Sequence, residues 1–413
     1  MPLVNMRDML NHAHRNEYAI GGFHVLGLGL LDAILRAAED CRSPVILSLA
    51  EPHFGHYDFE LAMAAAERGA QRASVPVAIH FEHGASCESA VRAISLGCNG
   101  VMVDHSNEDF YTNVSRTRQV VELAHRCGVT VEGVLGCVPG IVGEDAANGA
   151  EEAEQAGDTV YTSVAEAEAY AERTGVDCLA VSVGTAYGHV RRRPKLDFER
   201  LRKIHLAVSL PLVIHGGSGL SDDQYRRLIQ CGVGKINYFT ALADVAADSI
   251  RGNVRTDARC GYTALVSDVR SRIRAEVVRC MRLWGSAGRA AEVMMQCRPW
   301  CSVQHVVICN LDHPPDTQVE HMLGRGSEAL AEIPGMRRVI SGWTVREALH
   351  FRLCWLVEVA HESVVAGWRE RPDHATLAGK LLRPIAGDRL SVHFAAVAAA
   401  PAVRGPDVRQ SIQ

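Results

Sequence analysis

At 413 residues the chain is too long for one ordinary core, so two domains are expected. A net charge of -5, with 22% charged and 47% apolar residues, is that of an ordinary globular protein and argues against nucleic acid as a main partner. The opening Met1–Asp8 lacks a signal peptide's apolar stretch and no run reaches membrane-spanning length, so no membrane partner and a cytoplasmic location are expected. The 13 cysteines are scattered without CxxC pairs and read as small core residues, not as disulfides or a zinc knuckle.

Along the first two thirds, short apolar runs alternate with amphipathic stretches. Ala19–Phe23, Pro44–Ser48, Val75–His80 and Gly100–Asp104 read as strands, followed by Val129–Glu132, Cys178–Val183, Pro211–His215 and Gly234–Asn237. Helical patterns such as Leu30–Glu39, Phe59–Ala73, Val114–Cys127 and Ser163–Thr174 fall between them. Alternating strand and helix implies a parallel sheet, and eight repeats close a (β/α)8 TIM barrel, whose chemistry sits at the C-terminal ends of its strands. The long Gly- and acid-rich stretch Gly136–Thr159 interrupts the alternation and is expected either as a loop over the site or as a surface insertion. Thr240–Ile250 and Tyr262–Trp284 read as helices that pack around the barrel or at a subunit interface.

After Arg298-Pro299-Trp300 the pattern restarts. Strand Val303–Ile308, helix Thr317–Glu332, strand Phe351–Val359, helix Glu362–Trp368 and strand Leu390–Phe394 outline a small ferredoxin-like α+β unit. The expected division is residues 1–297 for the barrel and 298–400 for the second domain, with a disordered tail over 401–413.

The most informative segment is Pro211-Leu212-Val213-Ile214-His215-Gly216-Gly217-Ser218-Gly219. A strand delivers a histidine, which suits a metal, and a loop of small residues follows whose amides suit a phosphate. Val75–Gly84 repeats half of this arrangement, with His80, Glu82 and His83. His83, Asp104, Tyr187, His215 and Asn237 all fall at or just past predicted strand ends, although any one of these histidines is as readily a hydrogen-bonded structural residue. Arg191-Arg192-Arg193 reads as a solvated loop or, less simply, as a phosphate clamp.

In its barrel half the chain resembles the class II, zinc-dependent fructose-bisphosphate and tagatose-bisphosphate aldolases along nearly its whole length. The resemblance is carried by Ser43–Leu47, Val75–Gly84, Asp104, Val131-Glu132, Gly184-Thr185-Ala186, Pro194–Phe198, His215–Gly219 and Lys235-Ile236-Asn237. It implies Zn2+, or another divalent metal, held by His83 and His215. It implies Glu82 as the catalytic carboxylate that moves the proton of the scissile alcohol. It also implies a phosphate cradle from Gly188, Gly216, Gly217, Ser218, Asn237 and Thr240.

The resemblance also exposes departures. Tyr187 stands where the family has its third histidine ligand, and a phenol with a pKa near 10 is a poor ligand unless the metal ionises it; His189 is two residues on. Glu82 replaces an aspartate, an extra methylene that moves the carboxyl by roughly 1 Å. Val134 replaces a second glutamate, Ala50 a serine, Phe239 a polar residue and His24 an asparagine. Class I lysine chemistry has little support, because Lys195, Lys203, Lys235 and Lys380 do not end strands. The C-terminal part resembles the Dabb domain, a dimeric α/β-barrel module, through His305-Val306-Val307, Ile333–Met336 and Arg371–His374. That implies a homodimer or higher homo-oligomer, or else a second small-molecule site at His305 and His374. The expected function is a metal-dependent carbon–carbon lyase acting on a phosphorylated ketose or related substrate. An ordinary phosphoketose aldolase with compensating ligands and a catalytically inactive aldolase-like binding or assembly protein are the alternatives.

Overall fold

The computed structural model describes residues 2–138, 161–188, 195–311, 316–343, 351, 353–370 and 386–395. Most of the 136–159 segment, His189, Arg191–Arg193, Lys380, His374 and the tail beyond 400 lie outside the described residues. Eight parallel strands close in chain order into a barrel. They are β1 (Ile20–His24), β2 (Val45–Ala50), β3 (Val77–Gly84), β4 (Gly100–Val103), β5 (Thr130–Leu135), β6 (Cys178–Val181), β7 (Leu212–Ile214) and β8 (Val233–Tyr238). β8 closes the barrel against β1, with Gly22 opposite Asn237. Every one of these strands is buried along its whole length, as a parallel sheet covered by helices must be.

Two apolar layers hold the barrel. Residues pointing outward, such as Phe23, Leu47, Phe81 and Ile214, pack under the surrounding helices. Ile20, Ile46, Ala78, Met102, Val134, Cys178, Ala180 and Val213 form a second cluster together with Met6, Met9, Leu10 and Ala13 of α1 (Met6–Arg15). α1 thus closes the N-terminal end of the barrel. The i, i+3, i+4, i+7 spacing of those four side chains is what buries one face of this short helix. Burying about four such side chains stabilises the closure by several kcal/mol, at about 1.5–3 kcal/mol for each larger one. The helices around the barrel start on side-chain caps, including Asp58, Ser86, Asp109, Ser163, Asp197 and the Ser221–Gln224 capping box.

The stretch read as one helix over 262–284 is two, Tyr262–Leu265 and Val269–Leu283, and a further short helix runs over Ala290–Gln296. Beyond the barrel a separate four-stranded antiparallel sheet has the order β10-β11-β9-β12. Its strands are β9 (Val303–Leu311), β10 (Met336–Trp343), β11 (Leu353–Val359) and β12 (Ala386–Ala395). β10 carries no clean alternation in sequence, because Arg337 turns to the barrel and makes a two-pronged ion pair with Glu67 at 2.7 and 2.6 Å. Trp300 stacks on His361 at 4.5 Å, a second point of contact beside the barrel. Among the described residues no helix is long and apolar enough to cross a membrane.

Candidate active site

The barrel interior changes from apolar to ionic toward the C-terminal ends of its strands. β3 supplies His80, Glu82 and His83 in close succession, and its pairing with β4 shifts register between Phe81 and Gly84. His83 sits in that bulge with φ 51°, a left-handed conformation that costs a β-substituted residue about 1–2 kcal/mol. The extra residue re-aims the imidazole out of strict alternation. His83 Nδ1 then lies 3.1 Å from Asp104 Oδ2 at the end of β4. Asp104 is itself held by the backbone amide and hydroxyl of Ser106, at 3.0 and 2.6 Å.

β7 delivers His215 in the same way. Its Nε2–H donates to Glu132 Oε1 at 2.7 Å. In each case a carboxylate takes one ring N–H, which fixes the tautomer and turns the other nitrogen's lone pair inward. Burial opposes ionisation of both carboxylates, but their partners prevail. Lys235 and His215 bring Glu132 down to about 2, and His83 with Ser106 holds Asp104 well below the usual carboxylate range. Burial likewise pushes the His83 pKa down, favouring the neutral ring.

The two inward-facing nitrogens, His83 Nε2 and His215 Nδ1, stand 3.2 Å apart. The Tyr187 hydroxyl completes the triangle, 3.0 Å from His215 Nδ1 and 3.4 Å from His83 Nε2. Two ligands of a tetrahedral zinc ion are about 3.3 Å apart when each bond is about 2.0–2.1 Å. A single phenolic hydrogen cannot satisfy two lone pairs, so the arrangement suits a cation between them. Burial, followed by the charges of Asp104, Glu82 and Glu132, pushes the Tyr187 phenol well above its ordinary value. Among the described residues no three His, Cys, Asp or Glu side chains gather around one point, so the donor set is two imidazoles and a phenol.

Behind the triangle lies a wholly buried ionic cluster. Lys235 Nζ is 2.8 Å from Glu82 Oε1, Glu132 Oε2 and His80 Nδ1. Ser48 Oγ donates to the same Glu82 oxygen at 3.1 Å, and His24 Nε2 lies 2.9 Å from Oε2. Burial alone would lower the Lys235 pKa, yet Glu132 and Glu82 reverse the effect and raise it, so the amine stays charged and is unsuited to Schiff-base chemistry. Glu82 is held well below the usual range, against burial, by Lys235 and His24. Gly22 makes room for the cluster, since a Cβ there would stand 2.7 Å from Asn237 Oδ1 and 3.0 Å from Lys235 Cε. Together Glu82, Glu132 and Asp104 carry three negative charges against one ammonium. The deficit equals the charge of one divalent cation, which together with the two aimed lone pairs makes the residues a fit for such an ion.

Beside His215 the chain turns through Gly216, whose φ of 62° and whose approach to Ala186 leave no space for a side chain. Gly217 passes close to Asn237, and its carbonyl accepts from the Tyr225 hydroxyl. Ser218 Oγ accepts from the Ala241 amide at 3.1 Å. Thr240 opens a 17-residue helix whose N-cap residue, Phe239, offers no side-chain cap; Ser218 takes the Ala241 amide instead, and the Leu242 and Ala243 amides return to the Phe239 carbonyl. The Asn237 amide lies 3.2 Å from His215 Nε2. Gly188 stands just beyond Tyr187 with φ 72°.

The structure therefore brings His83, His215, Tyr187, Asp104 and Asn237 together and places Glu82 one layer deeper, joined to them through Lys235 and Glu132. Val134, near the C-terminal end of β5, belongs to the apolar cluster of the barrel interior and brings no carboxylate to the site. His24 and Phe239 stack at 5.4 Å, with His53 against both rings. Sequence reasoning had not singled out Lys235, Glu132, His80 or Ser48 as site residues. The available signal was a charged residue at an inward position of an otherwise apolar strand, as in Val233-Gly234-Lys235-Ile236-Asn237.

A parallel eight-stranded barrel with histidines, carboxylates and a glycine-rich turn gathered at the C-terminal mouth is the arrangement of a TIM-barrel enzyme. Residues 4–289 match the model of the family described as fructose-bisphosphate aldolase class-II. The chain belongs to that family, one of carbon–carbon aldehyde-lyases. It is 37% identical over 300 residues to a fructose-bisphosphate aldolase of Geobacillus stearothermophilus, covering 71% of this chain and 100% of the relative. A probable fructose-bisphosphate aldolase of Bacillus subtilis is 37% identical over 294 residues, 70% of this chain and 100% of that protein. Among solved structures, the YdjI aldolase from Escherichia coli K12 superimposes with TM-score 0.61 at 33% identity, over 70% of this chain and 99% of that one.

Proposed function

We propose that the chain is a zinc- or other divalent-metal-dependent aldolase that cleaves or forms a carbon–carbon bond in a phosphorylated ketose or related substrate, at a site altered from the usual family pattern. The observation that carries this reading is the pair of inward lone pairs on His83 and His215, 3.2 Å apart and each backed by a carboxylate. His83 and His215 would hold the metal, with Tyr187 as a weak third donor. The ion, when bound, polarises the substrate carbonyl and offsets the charge left on the donor fragment.

Glu82 is the proposed proton carrier. As the carbon–carbon bond breaks, the scissile alcohol's proton passes to the carboxylate, the aldehyde leaves, and the electron pair stays on the donor half. Gly188, Gly216, Gly217, Ser218, Asn237 and Thr240 would hold its phosphate through backbone amides and small polar groups. The phenol at the third corner favours a second reading, a catalytically inactive aldolase-like binding or assembly protein.

The barrel reading covers residues 1–297 and the second domain 298–400, in which a Dabb-like role is proposed. Ile340, Leu390 and Phe394 lie exposed on one face of its sheet, which supports pairing with a second copy of the chain. Buried cysteines such as Cys98, Cys178 and Cys280 sit in the apolar core as small side chains, which supports a cytoplasmic setting.

The test is calorimetric titration of dihydroxyacetone phosphate with and without zinc. Binding that needs zinc and vanishes in Ser218→Trp supports the lyase. No binding at millimolar ligand in either condition supports the inactive reading.

A further inference from the structure

We propose that Lys235 is a positioning residue of the reaction: one buried ammonium sets the Glu82 carboxylate for proton transfer and, in the same grip, holds the Glu132 carboxylate that orients His215. The proposal rests on the lyase reading above. Its basis is the geometry of a side chain that touches neither the two inward imidazole nitrogens nor the phosphate loop.

An ammonium has three hydrogens, and Lys235 has three partners at 2.8 Å, namely Glu82 Oε1, Glu132 Oε2 and His80 Nδ1. All four residues are wholly buried, so none can exchange these partners for water. The two oxygens of Glu82 are thereby made different. Oε1 accepts from Lys235 and from Ser48, and its lone pairs are taken up. Oε2 has no aligned hydrogen bond, only the edge of His24 at 2.9 Å. The oxygen that Lys235 leaves free is the one available to take a proton. Glutamate also has one more rotatable bond than aspartate, and the two donors on Oε1, Lys235 and Ser48, remove the freedom which that bond adds. A carboxylate displaced by about 1 Å loses ~100-fold in rate, so an anchor of this kind decides whether a glutamate can serve at this position.

Glu132 links the same ammonium to the other half of the site. Its Oε2 is held by Lys235 while its Oε1 accepts from His215 Nε2 at 2.7 Å. One charge therefore fixes the proton carrier and a metal-side histidine in a single register.

The experiment uses the full chain loaded with zinc. Two reactions of dihydroxyacetone phosphate are followed by NMR: solvent-deuterium exchange into the donor, and aldol addition to glyceraldehyde. Only the addition requires a proton at the new alcohol. Lys235→Met is expected to lower kcat for addition ~100-fold, with donor KM within about twofold and exchange lowered far less. Measured relative to exchange, addition in Glu82→Gln and in the double variant Glu82→Gln/Lys235→Met should be equally slow, since Lys235 acts on the alcohol proton through Glu82. Any loss through Glu132 and His215 lowers exchange and addition alike.

Additive losses of addition relative to exchange in the double variant, or equal losses of addition and exchange with a raised KM in Lys235→Met, would overturn the proposal. If Lys235→Met does not fold, Ser48→Ala removes another bond to the same oxygen without unpairing a charge. It should show the same split at about tenfold, the lower end of the worth of one hydrogen bond to a charged group, and its absence overturns the proposal equally. Wild-type protein that neither exchanges nor binds the donor refutes the lyase reading itself, and the proposal with it.

Discussion

Tyr187 is the residue on which the metal chemistry turns. Its hydroxyl lies 3.0 Å from His215 Nδ1 and 3.4 Å from His83 Nε2, a third corner that a metal would need to be a strong donor. A phenol ionises near pH 10 in water, and here burial and three neighbouring carboxylates push it higher still. Zinc in the unmodified protein should therefore be lost on dialysis against a mild chelator. Tyr187→His is expected to raise retained zinc toward one per chain, measured by elemental analysis after that dialysis. Chelator-resistant zinc in the unmodified protein would show that some other group completes the shell.

His83 and His215 are prominent in the sequence because each follows a short apolar strand and precedes small residues. The roles of Lys235 and Glu132 were not legible there. A lone charge in an apolar strand can point into a barrel or out to solvent, and only the closed sheet shows that these two meet at 2.8 Å from strands 103 positions apart.

At the scale of elements, the eight barrel strands were legible because hydrophobic runs of strand length alternated with helical patterns. β10 was not, since its Arg337 and Arg338 break any alternation and Arg337 is spent on contact with the barrel. The single 3-10 turn after β2, Glu51–Gly55, was missed for a different reason: it is too short to have a period. Glu51 ties it to the β3–α4 corner, accepting from the Ala85 amide and the Ser89 hydroxyl, where α4 is the helix Cys87–Leu96.

That turn buries His53 with neither ring nitrogen bonded. Burial, then repulsion from His24, brings its pKa to about 3 from an ordinary 6.5. The unfolded chain takes up a proton below pH 6.5 that the folded chain refuses until about 3. The contribution of His53 to stability is thus complete above 6.5 and is lost as pH falls through that window, at up to about 1.4 kcal/mol per pH unit. His53→Phe keeps the ring and removes the titration. Its melting temperature should fall less steeply between pH 6.5 and 4.5 than that of the unmodified protein. Parallel slopes in the two proteins would rule out His53 as a source of acid lability.

For the whole molecule, the question is what keeps the antiparallel sheet on the barrel. The apolar cluster is continuous from the barrel's outer layer through Trp300 to Val307, Met336 and Val357, so burial supplies a non-directional attraction. Orientation needs something directional, and Arg337 provides it. Its guanidinium forks onto Glu67 of the helix Phe59–Arg72, and Glu358 of β11 lies 3.4 Å from the same group. Burial would lower the Arg337 pKa, but Glu67 raises it, so the pair is charged in its half-closed setting. Arg337→Ala would leave Glu67 partly buried without its partner and is expected to cost about 2–3 kcal/mol, below the cost of breaking a fully buried pair. Arg337→Lys should recover only part of this, because an ammonium cannot make the two parallel bonds of the fork. The measurement is limited proteolysis alongside a thermal melt. Arg337→Ala should release the C-terminal segment from the barrel many-fold faster while the barrel's own transition moves little. A uniform drop of the whole melt with unchanged cleavage would mean that sheet and barrel unfold as one unit, held by their shared apolar contact and not by the Arg337 fork.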